Sequence, residues 1–68
     1  MRMNIIINGK RHDTPDEATL AALLDTLELL PGQVAIEVNG RVVPRAEFPS
    51  HALRADDRVE IVRFVGGG

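Results

Sequence analysis

The sequence predicts an α+β domain in which one helix covers one face of a single mixed sheet of four to five strands. Three observations predict this fold. Two β-branched segments each run into an Asn-Gly pair, the dipeptide that most readily adopts the positive φ angles of a tight hairpin turn. One segment of helical periodicity lies between them. A last strand segment, residues 59–65, follows the second hairpin, and this order of elements produces a sheet with one helix packed on it.

The first hairpin is predicted at the N-terminus. Residues 3–7 are rich in β-branched side chains and end at the Asn8-Gly9 pair, so the first strand should end there. Residues 10–13 then form a short polar strand, which suits a sheet edge because charged side chains discourage unwanted pairing. Alternation predicts that Asn4 and Ile6 face away from the core. The core-facing side chains are Met3, Ile5 and Ile7.

The helix is predicted to begin after Thr19, the expected N-cap. Leucines then recur at i, i+3, i+4 and i+7, which is the apolar stripe of a helix packed on one side. A rival start exists at Thr14, because residues 14–17 have the pattern of a capping box with proline at the first helical position. Thr19 is preferred because residues 16–18 continue no apolar stripe. The stripe consists of Leu20, Leu23, Leu24 and Leu27.

The helical segment should end before the Pro31-Gly32 pair, because proline cannot continue a helix and glycine permits a chain reversal. Leu29 and Leu30 are expected to pack beneath the end of the helix. The second hairpin follows over residues 34–44, with its turn at Asn39-Gly40. Ile36 and Val38 should face the core, and Pro44 should end the pairing or lie on a sheet edge.

The last part of the chain is predicted to close the sheet. Phe48 and Leu53 are the expected core anchors of an irregular stretch, and residues 55–57 give a turn signal before the final strand. In that strand Val59 and Ile61 should face in, whereas Glu60, Val62 and Phe64 should face out. The helical crossover is compatible with the last strand pairing parallel to the first in the middle of the sheet. This is the β-grasp arrangement.

The composition limits the possible chemistry. A chain of 68 residues with no cysteine has no thiol nucleophile, no redox pair and no cysteine-based zinc site. A net charge of −2 with scattered lysine and arginine argues against a nucleic-acid surface, which would need clustered basic residues. No apolar run approaches the length of a membrane span, and the N-terminus lacks the apolar core of a secretory signal. We therefore expect a cytoplasmic protein with no cofactor of its own.

The other polar residues suggest no catalytic site. His12 and His51 have no companion at ligand spacing and are interpreted as solvated side chains rather than metal ligands or acid-base groups. The acidic pairs at residues 16–17 and 56–57 fit turns and the region before the helix. Arg45 and Arg63 are interpreted as solvated charges, with recognition of an acidic partner groove as the alternative.

The end of the chain is its most unusual stretch. Residues 1–65 are predicted to form the domain and residues 66–68 a flexible tail, because glycine has no side chain to pack and loses much backbone freedom on ordering. Three extended residues reach roughly 10 Å, enough to pass through a slot too narrow for any residue with a Cβ. The tail therefore suggests a segment that another protein's active site receives. The alternative is a frayed terminus or a remnant of cloning.

An apolar stripe should lead towards this tail. Ile6, Val62 and Phe64 share the outward face of the two predicted central strands, and a partner protein would cover them. The alternative is that strands near the centre of a sheet simply prefer such residues.

Over essentially its whole length the sequence resembles the ThiS-type sulfur carriers of thiamine biosynthesis, which are ubiquitin-like β-grasp proteins. The matching segments are residues 6–9, 19–24 and 38–45 and the terminal Gly-Gly, of which the Asn-x-x-x-Val-Pro-Arg string ending at Arg45 is the most discriminating. Gly-Gly alone is shared with other ubiquitin-like modifiers and with the small subunit of molybdopterin synthase. Two departures are a third glycine, Gly66, and an Asp56-Asp57 pair where Asp-Gly-Asp is common.

The resemblance implies that Gly68 carries the reactive group. In similar proteins an E1-like adenylyltransferase uses ATP to adenylate the terminal carboxylate, and a sulfur donor system converts it to a thiocarboxylate that supplies thiazole synthase. Gly66 and Gly67 would thread the partner's active site, and the protein would not itself be an enzyme. Two alternatives remain: a stable subunit of the kind found in molybdopterin synthase, and a non-reactive interaction domain of ubiquitin-like shape.

Overall fold

The computed structural model describes residues 1–64, and within them the chain forms five strands and one α-helix. This confirms the predicted α+β class. Two short 3₁₀ turns lie at Pro31–Gln33 and Arg45–Glu47. The elements are β1 (Arg2–Ile7), β2 (Lys10–Pro15), α1 (Leu20–Thr26), β3 (Val34–Val38), β4 (Arg41–Val43) and β5 (Arg58–Arg63).

The strands form one mixed sheet in the order β2-β1-β5-β3-β4. Strand β5 pairs parallel to β1, with Ile7 opposite Val59, and antiparallel to β3, with Ile36 opposite Ile61. Both hairpins, β1–β2 and β3–β4, turn at their Asn-Gly pairs. The prediction that the last strand lies in the middle of the sheet, parallel to the first, is confirmed.

Strand β2 is longer than predicted, and its extension explains why Thr14 does not start the helix. Met3 pairs with Thr14 and Arg2 pairs with Pro15, so the hairpin continues two residues beyond the expected end at Asp13. Thr14 faces the helix side of the sheet and is buried at 5% exposure. Because Thr14 is paired within β2, no helix follows it directly and its side chain does not act as an N-cap.

Thr19 is the N-cap, as predicted. Its backbone is extended, with φ −83° and ψ 164°, and its Oγ1 accepts a hydrogen bond of 3.1 Å from the Ala22 N–H. The helix ends in a Schellman motif: the Leu29 N–H donates to the Leu24 carbonyl and the Glu28 N–H to the Asp25 carbonyl.

Glu28 occupies the left-handed position of this motif, at φ 59°, where glycine is usual. The left-handed conformation costs an L-residue about 1–2 kcal/mol of stability, and glycine avoids this cost. Glycine also makes the unfolded chain more flexible, which cancels about 0.4–1 kcal/mol of the gain. We therefore expect Glu28→Gly to raise the free energy of unfolding by about 0.5–1 kcal/mol, measured by urea denaturation. Ala22→Gly, within the helix, should lower it by about 1 kcal/mol. A Glu28→Gly protein no more stable than the parent would contradict the expected gain.

One core prediction at the helix end is wrong. Leu29 packs against the core, as expected, but the Leu30 side chain is 64% exposed. The Schellman bond from the Leu29 N–H turns Leu29 towards Leu24, and the chain then becomes extended at Leu30 (φ −87°, ψ 139°). Successive residues of extended chain point to opposite sides, so only one of the two leucines reaches the core.

The core lies between α1 and the helix-facing side of the sheet. Phe48 and Leu53 are both buried in it, as predicted, and Met3 packs against its margin. The strands contribute alternate residues, which gives β3 its regular pattern of buried and exposed positions. The strand residues that the core buries are Ile5, Ile7, Val34, Ile36, Val38, Val43, Val59 and Ile61.

Candidate functional site

The candidate site is the end of β5, the strand that carries the glycine tail. This strand is hydrogen-bonded on both sides, and the Phe64 N–H donates to the Gln33 carbonyl at 2.9 Å, one residue beyond Arg63. The chain is therefore anchored to the sheet through the last described residue. Gly66, Gly67 and Gly68 lie outside the described residues, so the roles assigned to them remain predictions.

The side chain of Asn8 holds the end of β5 in place. Its Oδ1 accepts a hydrogen bond of 2.8 Å from the Ile61 N–H, and its Nδ2 donates to the Ile61 carbonyl at 3.1 Å. The Asn8 backbone N–H also donates to the Val59 carbonyl. Because β1 stops at Ile7, this amide takes the place of the peptide group that a longer β1 would supply. Asn8 thus extends the support of the central strand towards the tail.

Asn39, in the other Asn-Gly turn, has the corresponding role at the start of β5. Its Oδ1 accepts from the Arg58 N–H at 2.9 Å, and its Nδ2 donates to Asp57 Oδ1 at 2.9 Å. Asp57 Oδ2 in turn accepts from the Arg54 N–H. Both turn asparagines therefore bind the central strand. The sequence indicated their turns but gave no signal for these bonds, since Asn8 and Ile61 are 53 residues apart.

Removing the Asn8 amide should weaken the sheet. In Asn8→Gly the turn is kept, because glycine also adopts the φ of 48°, but the Ile61 N–H and carbonyl lose their partner. We expect the free energy of unfolding to fall by about 1–3 kcal/mol and the Ile61 amide hydrogen to exchange faster. Asn39→Gly is the matched control and should cost about 1 kcal/mol or less, because its hydrogen bonds are exposed. Equal losses in the two variants would refute the special role of Asn8.

The predicted outward stripe is only partly continuous in the structure. Val62 and Phe64 are exposed at 58% and 53%, and Ala35 lies opposite Val62 on β3. Ile6 is half-buried on the same face, but it pairs with Arg58, four residues before Val62. That register separates Ile6 from Val62 by about 13 Å along the strand. The structure thus places Val62 and Phe64 together near the tail and leaves Ile6 apart from them.

The structure also places the remaining polar candidates of the sequence. Within residues 1–64 no group of three or more His, Cys, Asp or Glu side chains is placed to hold a metal ion. His12 and His51 are half-buried and line different grooves, and Arg45 is exposed. In the same part of the chain, no helix is both long and apolar enough for a membrane span.

Comparison with known proteins gives the family. The family model described as the ThiS family matches residues 5–68. The chain belongs to the ThiS family. This confirms the resemblance to ThiS-type sulfur carriers and the ubiquitin-like β-grasp fold, which the crystal structure of the thiamine biosynthesis protein ThiS from Geobacter metallireducens shares. That structure aligns with a TM-score of 0.77 and 36% identity, over 97% of this chain and 100% of its own.

Two relatives indicate how this domain occurs elsewhere. A thiazole synthase of Magnetococcus marinus is 41% identical over 97% of this chain, and this chain spans only 20% of that protein's length. The sulfur carrier protein ThiS of Escherichia coli is 24% identical over 97% of this chain and 100% of its own length. ThiS-like sequence is thus found both as a protein of similar size and as part of a longer synthase.

Proposed function

We propose that this ThiS-family chain carries sulfur on the C-terminal carboxylate of Gly68 for the formation of thiazole in thiamine biosynthesis. The observation that supports the proposal is the anchoring of β5: the strand leading to the glycines lies mid-sheet and is bonded through Phe64. The Asn8 amide adds support on the other side of this strand. A rigid strand followed by glycines suits the presentation of a main-chain group to another protein's active site.

The proposed chemistry has two steps, both on the terminal carboxyl group. A carboxylate oxygen of Gly68 attacks the α-phosphorus of ATP on an E1-like adenylyltransferase, and pyrophosphate leaves. Hydrosulfide supplied by a sulfur donor system then attacks the acyl carbon, AMP leaves, and the proton on the sulfur passes to solvent. The product is a thiocarboxylate in which one sulfur replaces one oxygen. The chain needs no thiol for this chemistry, which fits its lack of cysteine.

Activation is expected to come from the partner. ThiS-type carriers are substrates of other enzymes, and the described residues contain neither a metal-binding cluster nor a buried side-chain nitrogen or oxygen without a hydrogen-bond partner. The carrier's contribution is therefore binding and presentation. Val62 and Phe64, with Ile6 further along the face, are the proposed docking residues, and Gly66 and Gly67 the proposed threading segment.

The proposed acceptor of the sulfur is thiazole synthase. Two curated thiazole synthases, from Magnetococcus marinus and Paramagnetospirillum magneticum, contain a segment 41% and 36% identical to this chain. A carrier and the enzyme that uses it gain effective concentration when they share one chain. This pairing supports transfer of sulfur from the Gly68 thiocarboxylate to a synthase.

Intact-mass spectrometry tests the proposal. The carrier is incubated with its cognate adenylyltransferase, ATP and a sulfur donor. Its mass should rise by the difference between sulfur and oxygen, and the gain should disappear when ATP is omitted. An unchanged mass with the complete system would refute the proposed chemistry.

A further inference from the structure

A groove with an apolar floor opens beside the end of β5, on the helix side of the sheet. It has a volume of about 440 Å³. Ile7 and Ile61 form its buried base, and Leu27 and Leu29, which are half-buried, form one wall. The groove exists because α1 has only seven residues and ends before it covers this part of the sheet.

The burial of side chains on β2 shows how far α1 covers the sheet. Alternation places Thr14, His12 and Lys10 on the helix side, and their burial falls in that order from buried to half-buried to exposed. Lys10 lies opposite Ile7, at the end of the sheet where β1 turns. Because β5 runs parallel to β1 and Val59 pairs with Ile7, β5 continues beyond this point to Arg63, which lines the same groove. The groove is therefore at the tail end of the molecule.

The rim of the groove is basic. Lys10 and Arg63 contribute two cations, and His12 contributes a third nitrogen-bearing side chain, whereas no Asp or Glu is among its lining residues in the described chain. Arg63 reaches the groove because it follows Val59 and Ile61 on the inward face of β5 and extends beyond the end of β1. The rim of the groove is therefore positively charged, although the whole chain has a net charge of −2.

A second groove, beside the start of β5, provides an internal comparison. It has a volume of about 360 Å³ and is lined by Arg41, Arg54 and His51, but also by Asp57. The Asp57 carboxylate is bonded to the Asn39 amide and to the Arg54 N–H, so a fixed negative charge faces those arginines. Within residues 1–64, the tail-end groove thus differs from it in having no carboxylate among its lining side chains.

We infer that the groove lined by Lys10, His12 and Arg63 receives an acidic segment of the adenylyltransferase, one that carries a carboxylate beside an apolar side chain. The half-buried leucines would bind the apolar side chain, and the two cations would pair with the carboxylate. Two other ligands fit the groove less well. A small inorganic anion would not cover its apolar floor, and a polyanion would be repelled by the net negative charge of the chain. The inference rests on the proposed function, since it assumes that this enzyme receives the tail.

Reversal of the groove charges tests the inference. The double variant Lys10→Glu/Arg63→Glu is compared with Arg41→Glu/Arg54→Glu, which changes the net charge equally at the other groove. We expect the Kd for the cognate adenylyltransferase, measured by isothermal titration calorimetry, to rise about tenfold or more in the first variant and at most about twofold in the second. The difference in Kd between the two variants should become smaller at high salt. Equal effects, or none, would overturn the inference.

Two further measurements keep this test decisive. The charge-preserving variant Lys10→Arg/Arg63→Lys should bind within about threefold of the parent, and a loss as large as that of the reversal would overturn the charge-pairing argument. If Arg63→Glu unfolds the sheet, Lys10→Glu alone should still raise the Kd about threefold. Conversion of the parent to the thiocarboxylate is measured separately by intact mass, so failure of the proposed function is distinguished from failure of the groove assignment.

Discussion

A carrier lengthened by one alanine after Gly68 is expected to lose adenylation and thiocarboxylate formation completely. The extension moves the terminal carboxylate beyond the proposed point of attack and places a Cβ in a passage that the glycines suggest is narrow. The main chain at Gly68 then holds an amide instead of a carboxylate, and an amide does not attack the α-phosphorus. The measurement is intact mass after incubation with the adenylyltransferase, ATP and a sulfur donor.

The matched control adds the same alanine before Met1, whose side chain is fully exposed. That protein has the same added mass and should be converted as fully as the parent. Circular dichroism should show the same fold for both extended proteins, because the core is built from residues 5–61 and neither addition changes them. Conversion of the C-terminally extended protein at the parental rate would rule out Gly68 as the reactive residue.

Val62→Asp is expected to weaken binding of the adenylyltransferase by about 10- to 100-fold. Val62 is exposed beside Phe64, near the last described residue of β5, and a carboxylate buried there against an apolar partner loses its hydration. The loss of apolar contact and the unpaired charge together correspond to about 1–3 kcal/mol. The measurement is the Kd by isothermal titration calorimetry, with the thermal unfolding midpoint recorded for each protein.

Val42→Asp is the control for that substitution. Val42 lies on the same outward face of the sheet and is 71% exposed, but it belongs to the edge strand β4 and pairs with Glu37. The Val42→Asp protein should bind the adenylyltransferase with a Kd within about twofold of that of the parent, since Val42 lies away from the tail. Similar weakening by both substitutions would show that general charge, and not the patch at Val62 and Phe64, governs binding.

The parts of the fold that depend on local signals were predictable. An Asn-Gly pair supplies positive φ wherever it occurs, and both pairs form the hairpin turns that the sequence indicated. The Thr19 cap and the leucine stripe after it are likewise properties of a short segment, and the structure confirms both. Phe48 and Leu53 were identified because large apolar side chains in a small domain have few other places to go.

Errors arose where a distant contact overrides the local pattern. Strand β2 was predicted to end at Asp13, yet pairing with Met3 and Arg2 extends it to Pro15. Leu30 is as apolar as Leu29, but the geometry of the helix end turns only Leu29 inward. The docking role of Ile6 stays a prediction: Ile6 shares a face with Val62, and the register of β1 on β5 separates the two along the sheet.

The sequence by itself determined the elements of this protein, their order and the family to which it belongs, because periodicity, turn dipeptides and caps act over a few residues. Only the tertiary structure decided what those elements bring together. The parallel pairing of β1 with β5 places the Asn8 amide on Ile61 and lets Lys10 and Arg63 line one groove. Contacts between residues so far apart in the chain depend on strand order and register, which no single segment encodes.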